Sequence, residues 1–269
     1  MGTAFHVDVV ADDRNYARQA ASACFEVLEN IDRDLSRFVE SSDISRINHL
    51  RRGASTVVTL HTFRCLQVAE QMKRETGGAF DVAFASHGHP RRADHPFRGF
   101  ELVAASRSVR VLADSLQLDL GGIGKGYALD VMASQLREWD LSSARLRAST
   151  STILATEPPP ESAGWPLDFG PEHDRRRVML RRAAISGSGT RVKGHHVIDP
   201  RSGRPAANVV RCWACAPTAA VADALSTALM VMKPDEIRAL CRRQRSVSAF
   251  VLPTEGSSLQ SYSGTRQVK

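Results

Sequence analysis

Apolar residues recur every three or four positions through residues 12–38, at Ala17, Ala20, Cys24, Val27, Leu28, Ile31 and Leu35. This spacing predicts one long amphipathic helix, with Asp12 as its cap. A second helix is expected over residues 62–76, where Cys65, Leu66, Ala69 and Met72 share a face and Gly77-Gly78 stops it. A third follows Gly126, with Tyr127, Leu129, Val131, Met132 and Leu136 inward, and a fourth begins near Ala222 and runs until Pro234 interrupts it. Alternating or β-branched runs predict strands at residues 3–10, 55–60, 100–104, 108–112, 177–180, 195–198, 209–214 and 247–252. Strands and helices do not alternate steadily, so the expected class is α+β, with largely antiparallel sheets and packed helices. Residues 157–164, containing Pro158-Pro159-Pro160, form a loop-rich segment, and no internal repeat stands out.

With 269 residues, 42% of them hydrophobic, the chain can fill the core of one large domain, and a disordered tail protein is excluded. No apolar run approaches the roughly 18 residues of a membrane span. The opening residues 1–10 lack the pattern of a secretory signal, so a cytoplasmic location is expected. Charge is uneven: residues 171–269 hold 17 basic and 7 acidic side chains. That third of the chain either invites an anion, whether nucleic acid, an acidic protein or a phosphorylated small molecule, or reflects a generally arginine-rich composition with no functional patch. No helix-turn-helix, RNA-binding or zinc module accompanies it, so nucleic acid is not expected as a partner.

The five cysteines, Cys24, Cys65, Cys212, Cys215 and Cys241, show no disulfide framework and read as free thiols. Cys212 and Cys215 form one CxxC within a strand-like run, which favours a structural role over a zinc or redox site. His87, His89 and His95 sit among Pro, Gly and Arg and read as a solvated loop.

Chemistry concentrates in a few segments. Residues 119–127, Asp-Leu-Gly-Gly-Ile-Gly-Lys-Gly-Tyr, describe a strand end, a glycine turn and a helix start. Glycines admit close backbone approach, a helix N-terminus offers amides and Lys125 adds charge, so a phosphate is a natural guest; a tight structural turn accounts for the same residues. Asp223 and Thr227 lie four apart on one helical face, an oxygen pair suited to magnesium or simply to capping. His196 stands near Asp199 where a strand meets a Pro/Gly turn, a placement suited to a general base or simply to a histidine bonded to its own turn. Phe38 and Phe80 are each joined to polar turn residues and are candidates to wall a planar ring or to fill core.

Together these segments resemble the ApbE family of FAD:protein FMN transferases. The start Met1-Gly2-Thr3, the stretch from Leu35 to Asn48, Thr76 through Asp81, Asp119 through Tyr127, His196 through Gly203 and Ala222 through Thr227 each match a family block in order. The resemblance implies one domain over residues 1–269, with two related sheet-and-helix halves around a single flavin site. It implies FAD contacts at Met1, Phe38, Ala79, Phe80, Asp81, Asp119, Lys125 and Ile198. It implies magnesium ligands at Gly122, Asp223 and Thr227, and His196 as the catalytic base. The implied reaction moves FMN from FAD to a Ser or Thr hydroxyl of an acceptor protein and releases AMP. FAD hydrolysis by water, and FAD binding without catalysis, are the alternatives at the same site. One block departs from the family: where relatives carry Gly-Gly-Asp or Gly-Gly-Asn, this chain has Leu146 to Thr152, so part of the flavin pocket is expected to be remodelled.

Overall fold

The computed structural model describes residues 2–86, 98–189, 197–206, 209–254 and 256–264. Met1, His196 and the histidine-rich segment 87–95 therefore lie outside the described residues. The chain forms β1 (Phe5–Val9), α1 (Arg14–Leu35), α2 (Asp43–Asn48), β2 (Ser55–Val57), α3 (Leu60–Glu75), β3 (Phe100–Val103), β4 (Ser108–Val111) and α4 (Gly124–Glu138). It continues through β5 (Ala144–Ala148), β6 (Thr152–Ala155), β7 (Trp165–Phe169), β8 (Arg176–Leu180), β9 (Ala183–Gly189) and β10 (Arg211–Ala216). The C-terminal part adds α5 (Ala219–Leu229), α6 (Pro234–Arg243), β11 (Ser248–Leu252) and β12 (Gln260–Ser263).

Seven strands pair in the order β1-β5-β6-β9-β10-β11-β12, each with an antiparallel neighbour. A three-stranded sheet β2-β4-β3 and a β7-β8 hairpin are the other sheets among the described residues. The α+β class with antiparallel sheets is as the hydrophobic pattern predicts. Alternation along β10 sorts its side chains: Cys212, Ala214 and Ala216 enter the main core with α4 and α5, while Trp213 joins Trp165, Phe169 and Leu252 in a smaller cluster under the β7-β8 hairpin. Cys212 and Cys215 thus point to opposite faces of one strand, and all five cysteines are free thiols.

Several boundaries differ from the sequence expectation. Asp13, not Asp12, caps α1, its carboxylate accepting from Asn15 N at 2.7 Å and Tyr16 N at 3.1 Å. The fourth helix starts at Ala219 behind a Thr218 cap and ends at Leu229. Pro234 opens a new helix, α6, at a position where its missing N–H costs nothing, and Glu236 accepts from Lys233 N at 2.7 Å. The expected strand over residues 195–198 is represented among the described residues by an isolated bridge from Ile198 to Pro205.

Strands β5, β6, β7, β9 and β12 and helix α2 are absent from the hydrophobic pattern for identifiable reasons. The Ala-Arg alternation of β5 and the Gly and Ser of β9 have low strand propensity. Pro166 is tolerated in β7 because that strand pairs with β8 on one side alone.

Candidate functional site

The glycine turn before α4 is anchored by segments distant in sequence. Asn48, ending α2, donates from Nδ2 to Leu118 O at 3.1 Å and accepts from Leu118 N at 2.7 Å. Asp119 N donates to Val82 O at 2.8 Å, just beyond the turn that carries Ala79, Phe80 and Asp81. That turn begins where Gly77 and Gly78 adopt φ values of +60° and +81°, accessible to glycine without strain. A Cβ built on Gly78 would lie 3.6 Å from Arg201 Cγ, so the 198–203 turn packs on the same spot. Arg201 in turn forms ion pairs with Asp199 at 2.9 Å and Glu236 at 2.8 Å.

Asp223 is the hub. Gly126 N donates to its Oδ2 at 3.1 Å, Ser186 Oγ and Thr152 Oγ1 donate to its Oδ1 at 3.2 and 3.3 Å, and Lys125 Nζ stands 3.4 Å from both oxygens. Lys125 also donates to Gly121 O at 3.3 Å. The residue is buried, as are Thr152, Ser186 and Ser226. Burial of a carboxylate is tolerable only with such a full complement of donors. One turn later Thr227 lies beside Gly122: a Cβ on that glycine would sit 2.9 Å from Thr227 Oγ1 and 3.2 Å from Phe80 Cε2. The absence of a side chain at position 122 is what lets these groups meet.

Of the expected residues, Gly122, Lys125, Phe80, Asp223 and Thr227 therefore converge. Asp119 borders them, its Oδ1 accepting from Gly121 N at 2.8 Å and its Oδ2 standing 3.5 Å from Arg37 Nε. The Arg37 guanidinium lies 4.6 Å from the centre of the Phe38 ring, which is 83% exposed and so presents an aromatic face to solvent at the edge of the site. Ile198 is exposed on the Arg201 turn. Asp81 is placed differently: it is buried, its carboxylate 2.9 Å from Lys73 Nζ and accepting from Ala83 N at 2.9 Å. Of the amides at the start of α4, where a phosphate was the expected guest, Gly126 N is taken by Asp223.

Thr152, Ser186 and Ser226 are additions to the expected set. Thr152 belongs to the stretch that departs from the family pattern, yet it bonds directly to Asp223.

A model of the ApbE family matches residues 1–251. The FAD:protein FMN transferase of Salmonella typhimurium is 26% identical, with 97% of this chain and 85% of that protein aligned. Its counterpart from Treponema pallidum is 26% identical over 87% of this chain and 77% of its own length. The fold superposes on the apo flavinyl transferase ApbE of Pseudomonas stutzeri with a TM-score of 0.83 at 22% identity, covering 98% of this chain and 92% of that one.

Proposed function

The chain belongs to the ApbE family, and from that premise we propose that it transfers FMN from FAD to a Ser or Thr hydroxyl of a partner protein, with magnesium as the required metal. The hydroxyl oxygen bonds to the FMN phosphorus, the phosphoanhydride bond to the adenylate breaks, and AMP departs carrying the bridging oxygen. The observation that carries this reading is the junction at Asp223, where a glycine turn bearing Lys125 meets a buried carboxylate and the neighbouring Thr227 hydroxyl.

The donor set fits a hard cation. Asp223, Thr227 and the Gly122 carbonyl are oxygen ligands, and the Lys125 ammonium between the Asp223 carboxylate and Gly121 O marks a locus where positive charge is already favoured. Bound there, magnesium supplies charge neutralisation to the pyrophosphate. The chain's own residues do the rest. Lys125 faces the same charge from the helix start, Phe38 offers its exposed ring to the isoalloxazine, and Asp119 with Arg37 borders that ring. His196 accepts the acceptor hydroxyl's proton, the role its family block implies. Met1, Ala79, Phe80 and Ile198 contribute FAD contacts. With its carboxylate held by Lys73, Asp81 contributes through its main chain. Five free thiols accord with a cytoplasmic setting.

Incubation with FAD and magnesium, with and without a Ser/Thr acceptor peptide, tests this. AMP release together with a flavin adduct on the peptide is expected. AMP without adduct would replace transfer by hydrolysis, and FAD binding without AMP would defeat both.

A further inference from the structure

The two helices that build the site cap each other. Asp223 of α5 accepts from Gly126 N in the first turn of α4. In return Asp130 of α4 accepts from the first two amides of α5, Ala219 N to Oδ1 at 2.7 Å and Ala220 N to Oδ2 at 2.8 Å. Thr218 supplies the remaining partners, its Oγ1 accepting from Val221 N at 3.4 Å and its carbonyl from Ala222 N at 3.1 Å. The N-terminus of α5 is thereby fully satisfied without any external anion. The helices cross so closely that a Cβ on Gly126 would lie 2.1 Å from Ala219 O.

We propose that Asp130 is a positioning residue: by fixing the start of α5 against α4 it sets Asp223 and Thr227 opposite Gly122 and Lys125. This rests on the reading that those residues bind FAD and magnesium. The geometry is specific, because Asp223 and Thr227 lie one and two turns beyond the clamped amides, and a shift of α5 would carry both away from the glycine turn.

The clamp is also ionisable. Burial pushes the Asp130 pKa up to about 6, with the nearby Asp223 charge adding to the rise and the Ala220 and Ala219 amides and Arg137 opposing it. The cleft beside Asp130 is further lined by Arg64 of α3 and by Tyr127, Glu157 and Arg182. Above about pH 6 the carboxylate is ionised and grips both amides; below it one oxygen becomes a hydroxyl and the grip weakens. Site geometry and global stability then respond to pH in opposite senses. The folded state retains the Asp130 proton at pH values where the unfolded chain has released it, so this group adds stability on acidification while the site loosens.

The test is FAD binding by flavin fluorescence, with and without magnesium chloride, between about pH 5 and 8, on the wild type and Asp130→Asn, with thermal melting on both. We expect magnesium-dependent FAD affinity to be about tenfold weaker in the variant at pH 8, the scale of one lost charge-assisted hydrogen bond. The wild type should lose affinity on acidification through about pH 6, and the variant should not. Over the same interval the melting temperature of the wild type should rise relative to that of the variant. A purely structural cap would give the same melting behaviour but leave magnesium-dependent FAD affinity unchanged by the substitution and by acidification through about pH 6, and either unchanged affinity would overturn the assignment. Wild-type protein that binds no FAD would overturn the proposed function itself, and the assignment with it.

Discussion

Asp223 holds four donors from three elements, α4, β6 and β9, which makes it the residue whose loss is most informative. Asp223→Ala should lower AMP release from FAD more than about 100-fold and cost about 2 kcal/mol of stability, because buried donors are left without an acceptor. Asp223→Asn keeps the volume and should lose the activity with a smaller stability change; retained turnover in it would refute a metal role. Gly122→Ala tests the neighbouring contact. Its methyl group would press on Thr227 Oγ1 and the Phe80 ring, so the magnesium concentration for half-maximal activity should rise about tenfold while the protein still folds, as read by titration with magnesium chloride. At this scale the sequence was partly legible. Asp223 and Thr227 are recognisable by their spacing of four, and Lys125 by its glycine setting. Thr152, Ser186 and Ser226 carry no such signal, since an isolated hydroxyl in a strand or helix acquires its meaning from the carboxylate that folding brings to it.

Among the elements, α4 and α5 depend on one glycine. Gly126→Ala would drive a methyl group into the Ala219 carbonyl, which is backbone and cannot rotate away. We expect a loss of about 3 kcal/mol in thermal or urea unfolding together with loss of FAD turnover; wild-type stability would show that the helices can separate without consequence. The long helices were legible because Ala20, Cys24, Ile31 and Leu35, or Leu129, Met132 and Leu136, are buried along one stripe at helical period. Strands such as β5 and β9 were not, because Arg145 and Arg147 or Gly187 and Gly189 alternate with small inward residues, and pairing in the sheet centre rather than propensity holds them. Pro234 illustrates how one residue supports two readings: it can end a helix or occupy its first turn, and the capping interaction of Glu236 with Lys233 N decides for the second.

For the molecule as a whole, part of the positive charge of the C-terminal third is taken up in local pairs among the described residues. Arg177 binds Asp168 through two nitrogens at 2.7 and 2.8 Å, Arg176 pairs with Asp174, and Arg181 and Arg182 both reach Glu157. Arg243 donates to the Glu75 carbonyl. These arginines organise the β7-β8 hairpin and the α6 surface, and such exposed pairs add little stability each. Among the described residues no helix is long and apolar enough to cross a membrane. The cysteines are held by burial, which pushes Cys24 and Cys241 up to about 11 and Cys212 and Cys215 up to about 12, with Cys65 raised as well. All five should therefore resist a thiol reagent at about pH 8 until the protein is denatured, when five equivalents react; rapid labelling of the native protein would contradict this.

In the proposed reaction these elements meet to break the FAD pyrophosphate and pass its FMN half to a protein hydroxyl. Mass spectrometry of an acceptor peptide after incubation with FAD, magnesium and this protein measures that directly. We expect a peptide heavier by one FMN less water, AMP formed in equal amount, and neither product from Asp223→Ala. An unmodified peptide with intact FAD would contradict it.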